Sequence, residues 1–136
     1  MSNFKGLIFA LTLPALAAFG AEQAPAPSTL YNGISLKPVG DLIQKDSSTQ
    51  QMLITNPHFE SDDQDFPMAS DDDTAAAACL LLGGKKLVSY SSAGGEIQPT
   101  DVLAYADGKL ETAAAKLGLD PQAYATPVID TLTCGT

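Results

Sequence analysis

Short apolar runs separated by turn residues mark most of this chain as strands. Leu30 to Val39 is the first, with Tyr31, Ile34, Leu36 and Val39 as its apolar members and Asn32-Gly33 as an internal turn signal. Asp41-Leu42-Ile43 extends this region without a clear period, and Gln51 to Thr55 forms a second strand that Asn56-Pro57 ends. Ala77-Ala78-Cys79-Leu80-Leu81-Leu82 is wholly apolar, the pattern of a strand buried on both faces. Gly83-Gly84 turns the chain, and Lys85 to Ser91 returns as the second arm of a hairpin, with Ser92 to Gly95 as the next turn. Asp101 to Ala106, the turn Asp107-Gly108 and Lys109 to Thr112 predict another hairpin. Gly84 and Gly108 lie 24 positions apart in similar surroundings, as in a weak internal repeat or in two successive hairpins. Pro127 to Cys134 closes the chain as a strand.

Two segments break this pattern. Residues 58–74 form an acidic stretch in which Asp62-Asp63-Gln64-Asp65 and Asp71-Asp72-Asp73 repel one another, predicting a solvated, poorly ordered loop. Phe59, Phe66 and Met68 are its candidate anchors to the core. Glu111 to Leu117 is alanine-rich and stops at Gly118, so it predicts a helical turn. Asp120-Pro121 predicts a second through Tyr124. The expected class is all-β, mostly antiparallel hairpins in a small sandwich or trefoil-like barrel, with one or two short helical turns near 111–124.

The N-terminus changes the picture. Residues 1–20 read as a secretory signal peptide: Lys5 precedes an apolar run from Leu7 to Phe19, and Ala18-Phe19-Gly20 fits a small-x-small cleavage pattern. Residues 21–29 form a Pro/Ala linker, leaving 30–136 as a single small β-rich domain with the acidic loop 58–74. No second apolar run follows, so no membrane span is expected. Secretion makes one disulfide the default for an even cysteine count, pairing Cys79 with Cys134. Seven lysines and no arginine face 16 acidic residues, for a net charge of −9. Nucleic-acid binding needs clustered cations, and none are present.

Candidate chemistry is sparse. The single histidine, His58, lies between Pro57 and Phe59 with no partner in sequence and reads as a surface loop residue. Asp71-Asp72-Asp73 lacks the alternating spacing and downstream Glu of a calcium loop. No carboxylate pair is singled out for glycoside hydrolysis. Tyr90 and Tyr105 fall at strand positions, where core packing with the hydroxyl at the rim is the expected role. No nucleophile elbow, zinc helix or phosphate loop occurs. The expectation is therefore a non-enzyme with no catalytic residues, no cofactor and no metal ligands.

The segments C-L-L-L-G-G-K-K-L-V-S-Y-S from Cys79 and L-A-Y-A-D-G-K-L-E from Leu103 resemble parts of small secreted fungal cell-wall proteins of the phialide-type antigenic family. The signal followed by an Ala/Pro linker is similar too. The resemblance covers about a quarter of the chain and implies an all-β, non-enzymatic protein of the wall or extracellular space. The function expected is a secreted, non-catalytic structural or interaction role, with cell-wall polysaccharide or an extracellular protein as partner. The alternative is a secreted effector or inhibitor that binds a host or competitor protein through the acidic loop or a hairpin tip, with Ser61 to Asp73 as the first place to look.

Overall fold

The computed structural model describes residues 26–136; the segment read as a signal peptide and most of the segment read as a linker lie outside the described residues. The chain begins with a small hairpin, β1 (Leu30–Tyr31) and β2 (Ile34–Ser35). Asn32 and Gly33 both take positive φ, 51° and 79°, the requirement of a type I′ turn. Two long strands follow, β3 (Lys37–Asp46) and β4 (Gln51–Glu60), then the short β5 (Asp65–Pro67), helix α1 (Asp72–Leu81) and strand β6 (Lys86–Glu96). A second small hairpin, β7 (Leu103–Ala106) with β8 (Lys109–Thr112), leads into α2 (Ala113–Leu117) and the last strand, β9 (Ala125–Gly135). The expected class holds: antiparallel strands dominate, and among the described residues helix is confined to two short segments.

The main sheet runs β3-β4-β9-β6, with β5 added to β4. Its register builds rows across four strands. Leu87, Cys134, Met52 and Lys45 share one row, and Tyr90, Leu132, Ile54 and Leu42 the next. These rows face inward, where Met52, Ile54, Leu132 and Cys134 are buried. Helix α1 and strand β7 supply the opposing layer, with Leu103 and Tyr105 packed beside Phe59 and Met68 in one cluster. Burying each such large side chain contributes about 1.5–3 kcal/mol. The layer stops short of β3, and Leu42 and Ile43 remain 57% and 60% exposed.

Several expectations are corrected. Ala77 to Leu82 is not a strand but the second half of α1 and its C-cap, Leu82. Asp71 is its N-cap, accepting a hydrogen bond from the Thr74 amide at 3.1 Å, and Asp72 and Asp73 sit at the positive end of the helix dipole. The alanines that follow are the best helix formers. Gly83-Gly84 therefore ends a helix rather than turning a hairpin, and the two glycine units are not a repeat. The acidic stretch 58–74 is also not a loop: it comprises the end of β4, all of β5 and the start of α1. Phe59 and Met68 are fully buried within it, and Phe66 packs against the core, as expected of the anchors.

Ser92 to Gly95 continues β6 along β9 instead of turning. Asn56-Pro57 does not end β4. Asn56 takes φ 53° and forms a bulge, opposite which the register steps from Val39 to Asp41. A Cβ on Gly40 at this step would lie 2.5 Å from the Ile54 side chain, so only glycine fits. Asp120-Pro121 makes a turn closed by the Gln122 amide on Asp120 at 2.9 Å, with no second helix. The Asp107-Gly108 hairpin, the Glu111 to Leu117 helical turn with Gly118 at φ 66°, and the last strand all lie where the sequence placed them.

Candidate functional site

The outward face of the main sheet is formed by the residues that alternate with the core. Three rows cross it: Ser91, Thr131, Thr55 and Asp41; Ser89, Thr133, Leu53 and Gln44; Lys86, Gly135, Gln51 and Asp46. No side chain of the first two rows is buried, and Ser89, Ser91, Asp41 and Gln44 are exposed. Helix α1 lies on the other face, tied there by its disulfide. The Ser91 and Thr131 hydroxyls are hydrogen-bonded across the strands at 2.5 Å, and Ser91 Oγ also accepts from the Thr131 amide at 3.2 Å. Neighbouring strands stand about 4.8 Å apart, so the hydroxyls form a regularly spaced array.

One end of this face opens into two depressions. A cleft of about 580 Å³ is lined by Gln50, Gln51, Lys85, Lys86 and Thr136, among others. A second, of about 250 Å³, is lined by Gln44, Asp46, Gln51, Leu53 and Thr133. The two share Thr49 and Gln51. The turn between β3 and β4 shapes them, and Asp46 holds that turn by accepting from Ser48 Oγ at 2.7 Å and the Ser48 amide at 2.9 Å. These hydrogen bonds keep the Asp46 carboxyl below its ordinary pKa.

The residues singled out in the sequence take different places. Cys79 and Cys134 form a disulfide with a Cα–Cα distance of 5.5 Å, and both are fully buried, so the bond is a structural clasp between α1 and β9. Asp71, Asp72 and Asp73 are engaged within the protein. Asp71 caps α1 and pairs with Lys116, Asp73 pairs with Lys116 at 3.0 Å, and Asp72 accepts from the Tyr90 hydroxyl at 2.7 Å. The last bond raises the Tyr90 pKa. Tyr105 is buried and donates its hydroxyl to the Ser28 carbonyl at 2.7 Å, and burial raises its pKa. Tyr31 packs edge-on against Phe66 with centroids 5.8 Å apart. Tyrosine at 90 and 105 thus serves packing with a rim hydrogen bond, as the strand positions led one to expect.

His58 is not a loop residue. It lies on β4 two positions before Glu60, and β5 pairs Asp65 directly with Glu60. Its Nδ1 is 2.8 Å from the Asn56 carbonyl and its Nε2 is 3.2 Å from Glu60 Oε2. Burial pulls the His58 pKa down. The Asn56 and Glu60 hydrogen bonds and the fields of Asp65 and Glu60 outweigh it and leave the pKa raised. Among the described residues no helix is long and apolar enough to cross a membrane.

The sequence reading missed the hydroxyl array and the His58 group alike. A signal for the array was present: Ser89/Ser91 and Thr131/Thr133 recur at spacing two, which puts each pair on one strand face. Their meeting in common rows follows from the pairing of β6 with β9, which joins segments 40 residues apart.

Fold and site define a class: an antiparallel sheet clasped to one helix by a disulfide, with one sheet face uncovered among the described residues and hydroxyl-bearing. Compared with known proteins, the chain matches no family model, no curated protein and no solved structure.

Proposed function

We propose that this chain is a secreted, non-catalytic protein of the cell wall or extracellular space that adsorbs to neutral polysaccharide through the open face of its main sheet. The observation that carries the reading is the array of Ser89, Ser91, Thr131, Thr133 and Thr55 hydroxyls with the Gln44 and Gln51 amides on one exposed face. Hydroxyls and amides both donate and accept, matching the paired donors and acceptors of sugar hydroxyls. No aromatic ring stands in the three outward rows, so recognition rests on hydrogen bonds rather than on ring stacking. The signal-like N-terminus and the buried disulfide support an oxidising, extracellular setting.

The test is co-sedimentation of the purified protein with chitin, β-glucan and mannan particles, alongside fractionation of the producing cells. Retention on at least one polymer is expected. Replacing Ser89 and Ser91 by Ala and Thr131 and Thr133 by Val nearly keeps volume and backbone while removing four of the array's five hydroxyls. It should weaken retention at least about tenfold, since each net hydrogen bond contributes roughly 1 kcal/mol. Failure to sediment with every polymer, together with complete absence from the wall fraction, overturns the reading.

A further inference from the structure

The geometry points to a divalent transition-metal site, of the zinc class, formed by His58 Nε2, Glu60 and Asp65 on the outward face where β4 meets β5. One ligand atom from each of these residues lies within 4.8 Å of the other two. The strand register brings them together: His58 and Glu60 are two positions apart on β4, and Asp65 is paired with Glu60 across the β4–β5 hairpin. The 3.2 Å separation of Nε2 and Oε2 is close to the roughly 3.4 Å spanned by two ligands at about 2.1 Å from a tetrahedral zinc. Asp65 is exposed, so rotation of its side chain closes the remaining gap.

A second observation concerns the ring orientation. The Asn56 bulge aims its carbonyl at Nδ1, 2.8 Å away, so Nδ1 carries the proton and donates it there. That is the arrangement that holds a metal-ligating imidazole, with one nitrogen anchored on a carbonyl and the other free to bind. In the neutral ring the Nε2 lone pair then faces a carboxylate oxygen. Two electron-rich atoms in such contact require a cation between them, either a proton on Nε2 or a metal ion. Lys37 is opposite Glu60 in register but, among the described residues, forms no ion pair with it. One nitrogen and two carboxylates suit zinc, whereas calcium prefers an all-oxygen shell. Three protein ligands leave a coordination position for water or a partner's oxygen.

His58 is the only histidine, which makes its imidazole an unambiguous reporter. Zinc is titrated into the purified, untagged protein while the ring nitrogens are followed by NMR and the heat by calorimetry. One equivalent should saturate, moving Nε2 far more than Nδ1, with no displacement by an equal concentration of Ca²⁺. Loss of an anchoring partner beyond the ligands costs about 10–100-fold in metal affinity, so His58→Gln should cost at least about 100-fold. Glu60→Gln and Asp65→Asn should each weaken binding, with circular dichroism confirming that the variants fold. Ring nitrogens unmoved by millimolar Zn²⁺ in the unaltered protein would show that the proton, not a metal, bridges Nε2 and Glu60. Undiminished zinc affinity in folded His58→Gln would place the metal on other acids. Either result overturns the site.

Discussion

Two stretches of this chain read alike and fold apart. From Ala77 to Leu87 an apolar run meets Gly-Gly, then lysine and leucine; from Val102 to Leu110 an apolar run meets Asp-Gly, then lysine and leucine. The second is a hairpin with both turn residues at positive φ. The first is the end of a helix followed by a strand that pairs elsewhere. What separates them lies upstream. Asp71 caps and Asp72 and Asp73 charge the start of α1, and four alanines carry it forward, whereas the second run follows a turn at Pro99-Thr100 and is itself the strand β7, Leu103–Ala106. The two glycines also serve different needs. A Cβ on Gly84 would meet the Cys134 Cβ at 2.8 Å, while a Cβ on Gly108 meets nothing within 4 Å but must sit at φ 78°. One glycine is required by close packing and the other by backbone conformation.

The largest effect should come from unclasping the first stretch. Replacing Cys79 and Cys134 by Ser opens a link with a sequence separation of 55, worth about 4 kcal/mol in the chain-entropy model. Denaturant unfolding of this variant should show that loss. A change below about 1 kcal/mol would mean that packing alone holds α1 to the sheet. The glycine pair sharpens the comparison next. Gly84→Ala should cost about 1–3 kcal/mol by overpacking against the disulfide, and Gly108→Ala about 1 kcal/mol by backbone strain. Asparagine separates the two causes: it tolerates positive φ, so Gly108→Asn should be milder than Gly108→Ala, while the bulkier Gly84→Asn should be worse than Gly84→Ala. The same ranking at both sites would erase the distinction.

Capping gives a smaller contrast. Asp71→Ala removes the cap of α1 and a partner of Lys116, for an expected loss of about 1–2 kcal/mol. Thr112→Ala removes the cap of α2, whose hydroxyl accepts from Ala115 at 3.2 Å on a helix of 5 residues, and should cost less. Thermal melts of the two variants read the order directly. The smallest effect belongs to Lys116, which ties α2 to the start of α1. Burial alone would depress its pKa, and the pairs with Asp71 and Asp73 outweigh this and raise it. A lysine with a raised folded pKa contributes stability below its unfolded pKa and loses it as pH rises through the folded value. The unaltered protein should therefore lose stability relative to Lys116→Met above the ordinary lysine range, with a constant difference at neutral pH. Parallel curves across the alkaline range would show that the pairs carry no charge linkage.

Legibility of the fold follows the range of the interactions. The Asn32-Gly33 and Asp107-Gly108 turns, the Gly118 stop and the final strand are set by neighbouring residues, and each lies where local chemistry placed it. Helix α1 escaped because it is packed against β6 and β9 on one side and β7 on another. Its solvent-facing stripe continues from Asp73 through Ala76 to the exposed Leu80, so no polar residue marks the helical period and the apolar run reads as a buried strand. The cap signal at Asp71 was present but was absorbed into a charge run. The same reading made a loop of 58–74, where charge density outweighed Phe59, Phe66 and Met68. Ser92 to Gly95 looked like a turn because its small residues are turn formers, yet pairing with Pro127, Val128 and Ile129 holds it extended.

By itself the sequence determined the strand-rich class, the tight turns, the apolar anchors and the cysteine pair, because each rests on local conformational preference or on a count. Tertiary structure alone decided which strands are neighbours. That choice turned separate serines and threonines of β4, β6 and β9 into one exposed array, and it set His58, Glu60 and Asp65 on a common face. The array depends on register between segments 40 residues apart, and the His58 group on the register of the β4–β5 hairpin. Register is a property of which backbones pair, and a single strand's side-chain pattern is the same whichever partner it finds.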